Sequence, residues 1–187
     1  MENWNLMELP ILDWIQTHLR CAFLDVFFPV ITHLGDAGLF WIALAVVLLF
    51  FKKTRKTGWM MGLALIFGLL VCNLTLKPLV ARVRPYDINT AVSLLIEKPH
   101  DFSFPSGHTQ ASFGAAMVLL FRDKRFGIPA VVLAVLIAFS RMYLYVHYPT
   151  DILTAAVLGT LFAFLAVRIV ETLYRKFGTA GPLDQKS

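Results

Sequence analysis

Lys77, Arg82, Arg84, Ser106, His108, Arg141, His147 and Asp151 form an unusual polar set in an otherwise apolar chain. Three of the cations, Lys77, Arg84 and Arg141, suit a polyanion. A guanidinium offers a planar fork of donors matched to phosphate oxygens, and an ammonium adds a point charge. Pro105-Ser106-Gly107-His108 opens an apolar run. The first N–H groups of a helix beginning there lack intrahelical partners and can receive phosphate, and Gly107 permits close approach. Pro149 suits the first position of a further helix, with His147 just ahead of it and Asp151 in its first turn. A carboxylate on one imidazole nitrogen fixes the tautomer and frees the other nitrogen to attack. This inventory predicts hydrolysis of a phosphate ester through covalent catalysis. His147 attacks phosphorus, His108 protonates the leaving oxygen and then activates water, and the cations and amides stabilise the developing charge. The sequence has no carboxylate cluster with metal-ligand spacing, so neither a divalent ion nor another cofactor is expected.

Composition says which elements must carry these residues. The chain has 187 residues, 58% hydrophobic and only 16% charged, against about 25% charged in soluble domains. So short a chain cannot hide that excess inside a globule, and it is too apolar to be disordered. A single domain is expected. A bilayer core of ~30 Å needs about 20 apolar residues per helix. The stretches 37–51, 58–80, 104–121, 127–146 and 152–170 are predicted to span. Backbone amides in lipid must pair within their own helix, and the period-2 alternation of a barrel is absent. Asp13, Arg20 and Asp25 interrupt residues 6–34, which read as one or two interfacial or half-buried helices, a sixth span being the alternative. Trp4 and Trp14 suit the headgroup level. The expected fold is an all-α integral membrane bundle of five to six transmembrane helices. Residues 1–35 form its N-terminal part, 36–176 its helical core and 177–187 a flexible cytoplasmic tail.

The net charge is +5. Lys52, Lys53, Arg55 and Lys56 fill one connection, Arg122, Lys124 and Arg125 another, and Arg168, Arg175 and Lys176 close the last helix. Alternating spans put all of them on one side, which the positive-inside rule makes cytoplasmic. The KKTRK run therefore reads as a topology signal rather than a nucleic-acid patch. The polar set then collects at the non-cytoplasmic face. Several residues have simpler expected roles. Arg82 reads as an interface anchor, His18, His33 and His100 as surface histidines, and Tyr143, Tyr145 and Tyr148 as an aromatic belt. Asp36 reads as a helix N-terminal charge, and Cys21 and Cys72 as buried free thiols. Ser140 is expected to contact phosphate or Arg141, a bond to its own helix being the alternative.

Three motifs stand in order: Lys77-PLVARV-Arg84-Pro85, then Pro105-Ser106-Gly107-His108, then Ser140-Arg141-MYLYV-His147-YPT-Asp151. In these residues the chain resembles the type-2 phosphatidic-acid phosphatase superfamily, whose fold is shared with vanadium-dependent haloperoxidases. The resemblance implies a phosphohistidine on His147, orientation by Asp151 and acid/base work by His108. It implies that Lys77, Arg84, Ser106, Gly107 and Arg141 hold the phosphoryl group. It also implies a multi-pass lipid phosphatase of the cell membrane, similar to bacterial undecaprenyl-diphosphate phosphatases, that converts undecaprenyl diphosphate to undecaprenyl phosphate and inorganic phosphate. Alternatives are a phosphatidate or phosphatidylglycerol phosphate phosphatase and, in another class, a non-enzymatic lipid-phosphate binding or transport protein. The expected partners are the lipid substrate and the bilayer, with no nucleic acid.

Overall fold

The computed structural model describes residues 2–177, with side chains from residue 4 onward; the expected tail beyond Phe177 lies outside the described residues. Helix α1 covers Glu2–His18, α2 Ala22–His33, α3 Leu39–Phe50 and α4 Arg55–Gly68. Helix α4 continues through a π-helical stretch, Leu69–Leu76, into α5, Lys77–Val80. A short α6, Pro85–Ile88, is followed by α7 (Gly107–Arg122), α8 (Lys124–Tyr143) and α9 (Pro149–Phe177). No strand occurs among the described residues.

The fold is the expected all-α membrane bundle. The segments Ala22–Phe50, Arg55–Ile88, Lys124–Tyr143 and Pro149–Phe177 are long and apolar enough to cross a membrane. Their outward faces carry exposed apolar side chains such as Phe50, Phe126, Leu153 and Val157, as contact with lipid requires. Helix α7 is shorter, with 16 residues, and lies at the centre, packed on α8, α9 and α4. Small residues let the backbones approach, since lipid supplies no hydrophobic drive between helices. Any Cβ on Gly159 would stand 2.7 Å from Gln110 O, and one on Gly127 only 2.1 Å from Leu120 Cα.

Helices α1 and α2 stay at one end of the bundle. Gln16 Nε2 donates to Tyr143 O (2.7 Å), Tyr143 OH donates to Asp25 (2.6 Å), and Arg141 Nη1 donates to Thr32 Oγ1 (2.7 Å). All three contacts fall at the C-terminal end of α8, where α1 and α2 meet the bundle. The chain then turns through Ala37 (φ 48°) and Gly38 (φ 67°), and α3 descends with Trp41 Nε1 donating to buried Ser112 Oγ (2.9 Å).

The basic connections gather at the other end. Arg122 pairs with Glu171 (3.2 Å), and Lys56 lies 5.5 Å over the Tyr174 ring, tying the α3–α4 link, the α7–α8 link and the end of α9 together. Two expectations fail. Tyr143, Tyr145 and Tyr148 are buried and form no exposed belt, because their hydroxyls or rings meet polar groups inside. Cys72 is buried as expected, but Cys21, in the link between α1 and α2, is exposed.

Gly127→Ala is expected to lower the thermal midpoint in detergent, by the equivalent of about 1–3 kcal/mol, because the new methyl must push apart the α7 and α8 backbones. Gly62→Ala, where a Cβ meets nothing within 4 Å, is expected to leave the midpoint level or raise it.

Candidate active site

The polar set assembles at the end of the bundle opposite the basic connections. The π-helical stretch brings the chain to Lys77; wide turns of this kind recur at functional sites. Thr75 Oγ1 donates five residues back to Leu70 O (2.8 Å). Ala81 then takes a left-handed conformation (φ 46°), and an extended run follows in which Arg82 and Arg84 are buried and Val83 is exposed. The period-2 geometry of extended backbone turns both arginines inward. Ser106 is the N-cap of α7, its Oγ accepting from Thr109 N (3.4 Å) and Thr109 Oγ1 (3.0 Å).

Lys77, Arg84, Gly107, His108, Arg141 and His147 line one cavity of about 1640 Å³. Ser106 and Asp151 are fully buried and do not line it. His147 is 1% exposed. Its Nδ1 stands 3.4 Å from Asp151 Oδ2, a long contact, and its Nε2 stands 3.3 Å from Arg84 Nη1. Such bonds are often loose without substrate. Burial, and then the Arg84, Arg141 and Lys77 cations, hold the His147 imidazole well below its ordinary range. A neutral ring with Nδ1–H toward Asp151 presents the Nε2 lone pair toward the cations.

Four residues to which the sequence assigned no part in the chemistry complete the centre. Ser103 donates to Asp151 Oδ2 (2.5 Å) and lies 3.4 Å from His147 Nδ1, so it shares the carboxylate with the imidazole. Tyr148 N also donates to that oxygen (2.9 Å). Arg82 is not an interface anchor. It is 3% exposed and donates to Asp151 Oδ1 (2.6 Å), Glu8 Oε1 (2.8 Å), Asn5 Oδ1 (2.8 Å) and Thr150 Oγ1 (2.8 Å). Its guanidinium also stacks on Trp4 and Tyr148, 4.6 and 3.8 Å from the ring centroids. The signal was present in α1: Asn5 and Glu8 share the buried face that Leu12 and Ile15 continue at helical spacing. A carboxylate on that stripe needs a buried cation.

Asp101 is the third addition. Its carboxylate bridges Lys77 Nζ and Arg84 Nη2, and its carbonyl accepts from Arg84 Nε (2.8 Å). Burial alone raises a carboxyl, but the Lys77 and Arg84 cations outweigh it and hold Asp101 at about 2. The carboxylate thus occupies donors that could serve phosphoryl oxygens. Arg141 is 3% exposed, donates to Thr32 Oγ1, and has no carboxylate in contact among the described residues.

Asp36 is the fourth. Its Oδ1 lies 2.8 Å from His108 Nε2 and its Oδ2 lies 2.7 Å from His33 Nδ1. Asp36 therefore does more than complement a helix terminus, and His33 is not an isolated surface group. Ser140 Oγ donates to Ile137 O (2.6 Å), so it serves its own helix and not phosphate or Arg141. His18 stays at the surface as expected, stacked on Trp14.

Residues 57–175 match the model of the PAP2 superfamily. The chain is 36% identical over 133 residues to an undecaprenyl-diphosphatase of Sulfolobus acidocaldarius, covering 71% of this chain and 64% of that protein's length. It is 32% identical over 176 residues to the undecaprenyl-diphosphatase BcrC of Bacillus subtilis, covering 87% and 90% of the two chains. The structure matches a transmembrane PAP2-type phosphatidylglycerolphosphate phosphatase from Bacillus subtilis with a TM-score of 0.75 and 30% identity, covering 94% and 90%.

Glu8→Ala removes one carboxylate from the buried Arg82 (side chains 2% and 9% exposed). Breaking such a pair is expected to cost roughly 3 kcal/mol, read as a lower thermal midpoint of the purified protein. An unchanged midpoint would show that the contact contributes nothing.

Proposed function

The chain belongs to the PAP2 superfamily, and from that premise we propose that it is a membrane lipid-phosphate phosphatase whose substrate is a polyprenyl diphosphate, undecaprenyl diphosphate above all. One observation carries the reading. The cavity that holds the cations and both histidines continues as an apolar groove along α3 and α4, past Ile42, Val46, Leu49, Trp59, Leu63 and Ile66 to Tyr174. A single space thus offers donors for a phosphate at one end and hydrocarbon walls for a tail along the depth of the bundle. The Sulfolobus and Bacillus relatives bear the name of this activity. The likeness to the phosphatidylglycerolphosphate phosphatase supports a second reading, a glycerolipid phosphate in the same groove.

In the proposed reaction His147 Nε2 attacks the terminal phosphorus in line with the leaving oxygen. Asp151, seated by Arg82, Tyr148 N and Ser103, takes the Nδ1–H bond and stabilises the phosphohistidine. His108 gives a proton to the leaving oxygen and later takes one from the attacking water. Lys77, Arg84, Arg141 and the first amides of α7, from Gly107 onward, stabilise the equatorial oxygens, while Ser106, its N–H bonded to Asp151 O (3.4 Å), shapes that helix end as the N-cap. Asp101 must yield Lys77 and Arg84 as the phosphoryl group arrives. Side chains carry every step, so metal is not required. The site end faces the cell exterior and the basic connections face the cytoplasm, in keeping with the positive-inside rule.

The test is phosphate release by purified protein in detergent with excess EDTA, comparing undecaprenyl diphosphate, phosphatidylglycerol phosphate and phosphatidate. The expected outcome is EDTA-resistant release, fastest from the diphosphate and lost in His147→Ala. Release from the glycerolipids alone would replace the substrate assignment, and turnover surviving in His147→Ala would sink the covalent mechanism. Gly62 borders the groove in open space, so Gly62→Phe is expected to narrow it. KM should rise more for undecaprenyl diphosphate than for farnesyl diphosphate, whose tail is shorter; an equal effect would argue against the groove as tail site.

A further inference from the structure

We propose that Asp36 is the positioning residue of His108, with His33 as the outer member of a three-residue chain. The inference rests on the phosphatase reading above and deepens it. The geometry is specific. His108 Nε2 lies 2.8 Å from Asp36 Oδ1, and Asp36 Oδ2 lies 2.7 Å from His33 Nδ1. Exposure rises outward along the chain, from 20% for the His108 side chain to 49% for Asp36 and 66% for His33.

Three features of the turn serve this contact. Gly35 lies under the ring, and a Cβ there would come within 2.7 Å of His108 Cδ2. Ala37 and Gly38 are both left-handed, a conformation that a Cβ-bearing residue such as Ala37 adopts only under strain. This strained reversal is what carries the Asp36 carboxylate to α7 and not along the axis of α3. Asp36 makes no capping bond to the turn or to α3, so a helix-terminal role leaves both of its contacts unexplained.

The chemistry fits. Lys77 from α5 and Arg141 from α8 face the same ring and repel an imidazolium. Burial disfavours the imidazolium too, and Asp36 is the carboxylate in contact that opposes these effects. With Nε2–H donated to Asp36, Nδ1 is left without a partner among the described residues, on a ring that lines the cavity. In the first step the Nδ1–H proton passes to the leaving oxygen as its bond to phosphorus breaks and the bond from His147 Nε2 forms. In the second, water oxygen bonds to phosphorus, its proton passes to Nδ1, and the P–N electron pair returns to His147. Asp36 keeps its own bond to Nε2 throughout and touches no substrate.

The experiment is a double-mutant cycle of Asp36→Asn and His108→Ala in the full chain, assayed in detergent with undecaprenyl diphosphate and with phosphatidylglycerol phosphate. Asp36→Asn should lower kcat roughly 10- to 100-fold with KM within about threefold, the signature of a lost transition-state interaction. In the His108→Ala background it should cause almost no further loss, because the two residues act as one unit. His33→Ala should lower kcat less. Equal losses in both backgrounds, or full kcat in Asp36→Asn beside an inactive His108→Ala, would overturn the proposal while leaving the phosphatase reading intact. Wild-type turnover in His108→Ala and His147→Ala would overturn both. Asp36→Ser, read in the same cycle, covers the case in which the Asn variant does not fold.

Discussion

The contact between Arg82 and Asp151 is the point on which the architecture turns. Both side chains are sealed from solvent, and a buried ion is tolerable only when paired and fully hydrogen-bonded. Meeting that condition draws in distant parts of the chain. Glu8 and Asn5 come from α1, Thr150 from the first turn of α9, and Ser103 from the long loop, which Arg82 O also holds through Ser103 N (2.8 Å). His147 inherits its position from this assembly, since Asp151 is its partner and Tyr148 N fixes Asp151 from the same short link. The N-terminal helix, which bears no motif, thereby becomes part of the support of the proposed nucleophile.

Charge at the site is arranged in two layers. The inner layer sets one guanidinium, Arg82, between two carboxylates, Glu8 and Asp151, and is sealed from solvent. Its cost in desolvation is met by fixed partners, so it can hold geometry but cannot respond to a ligand. The outer layer faces the cavity. There Lys77 and Arg84 share Asp101, whose side chain is 54% exposed, while Arg141 has no carboxylate in contact among the described residues. In the proposed reaction, an anion reaching the cavity exchanges with the half-exposed Asp101 and meets the Arg141 guanidinium, without touching the layer behind. The proposed acid/base partner is paired in the same way, since His108 and the half-exposed Asp36 both line the cavity and contact each other.

Much of this was legible in the sequence, because the cations Lys77, Arg84 and Arg141 and the histidines His108 and His147 that line the cavity lie in three compact motifs, each at a helix end marked by proline or glycine. The apolar runs likewise announced the spans, since lipid leaves helices little alternative. The parts that were not legible depend on side chains that no local spacing relates, from 17 residues apart for Arg84 and Asp101 to 132 for Tyr145 and Asp13. Arg82 looked like a membrane-surface cation because local pattern cannot reveal that Glu8, seventy-four positions away, would reach it. Asp101 and Ser103 sit in a loop without periodicity, and Asp36 precedes an apolar run where a helix-dipole role is the default. The tyrosines near residue 145 illustrate the same limit. Aromatic residues at a helix end suit an interface, and only the packed structure shows Asp13 and Asp25 waiting for two of their hydroxyls.

The placement of Trp4 on the Arg82 guanidinium gives the molecule an optical handle. The four indoles occupy distinct settings. Trp41 is buried and bonded to Ser112, Trp14 is stacked on His18, Trp59 borders the groove and Trp4 covers Arg82. A cation against the ring face perturbs indole emission, so a chain retaining Trp4 alone carries a chromophore tuned to the buried ion pair behind the site. Its spectrum would follow the seating of the first helix on Arg82, in detergent or bilayer, with no substrate present.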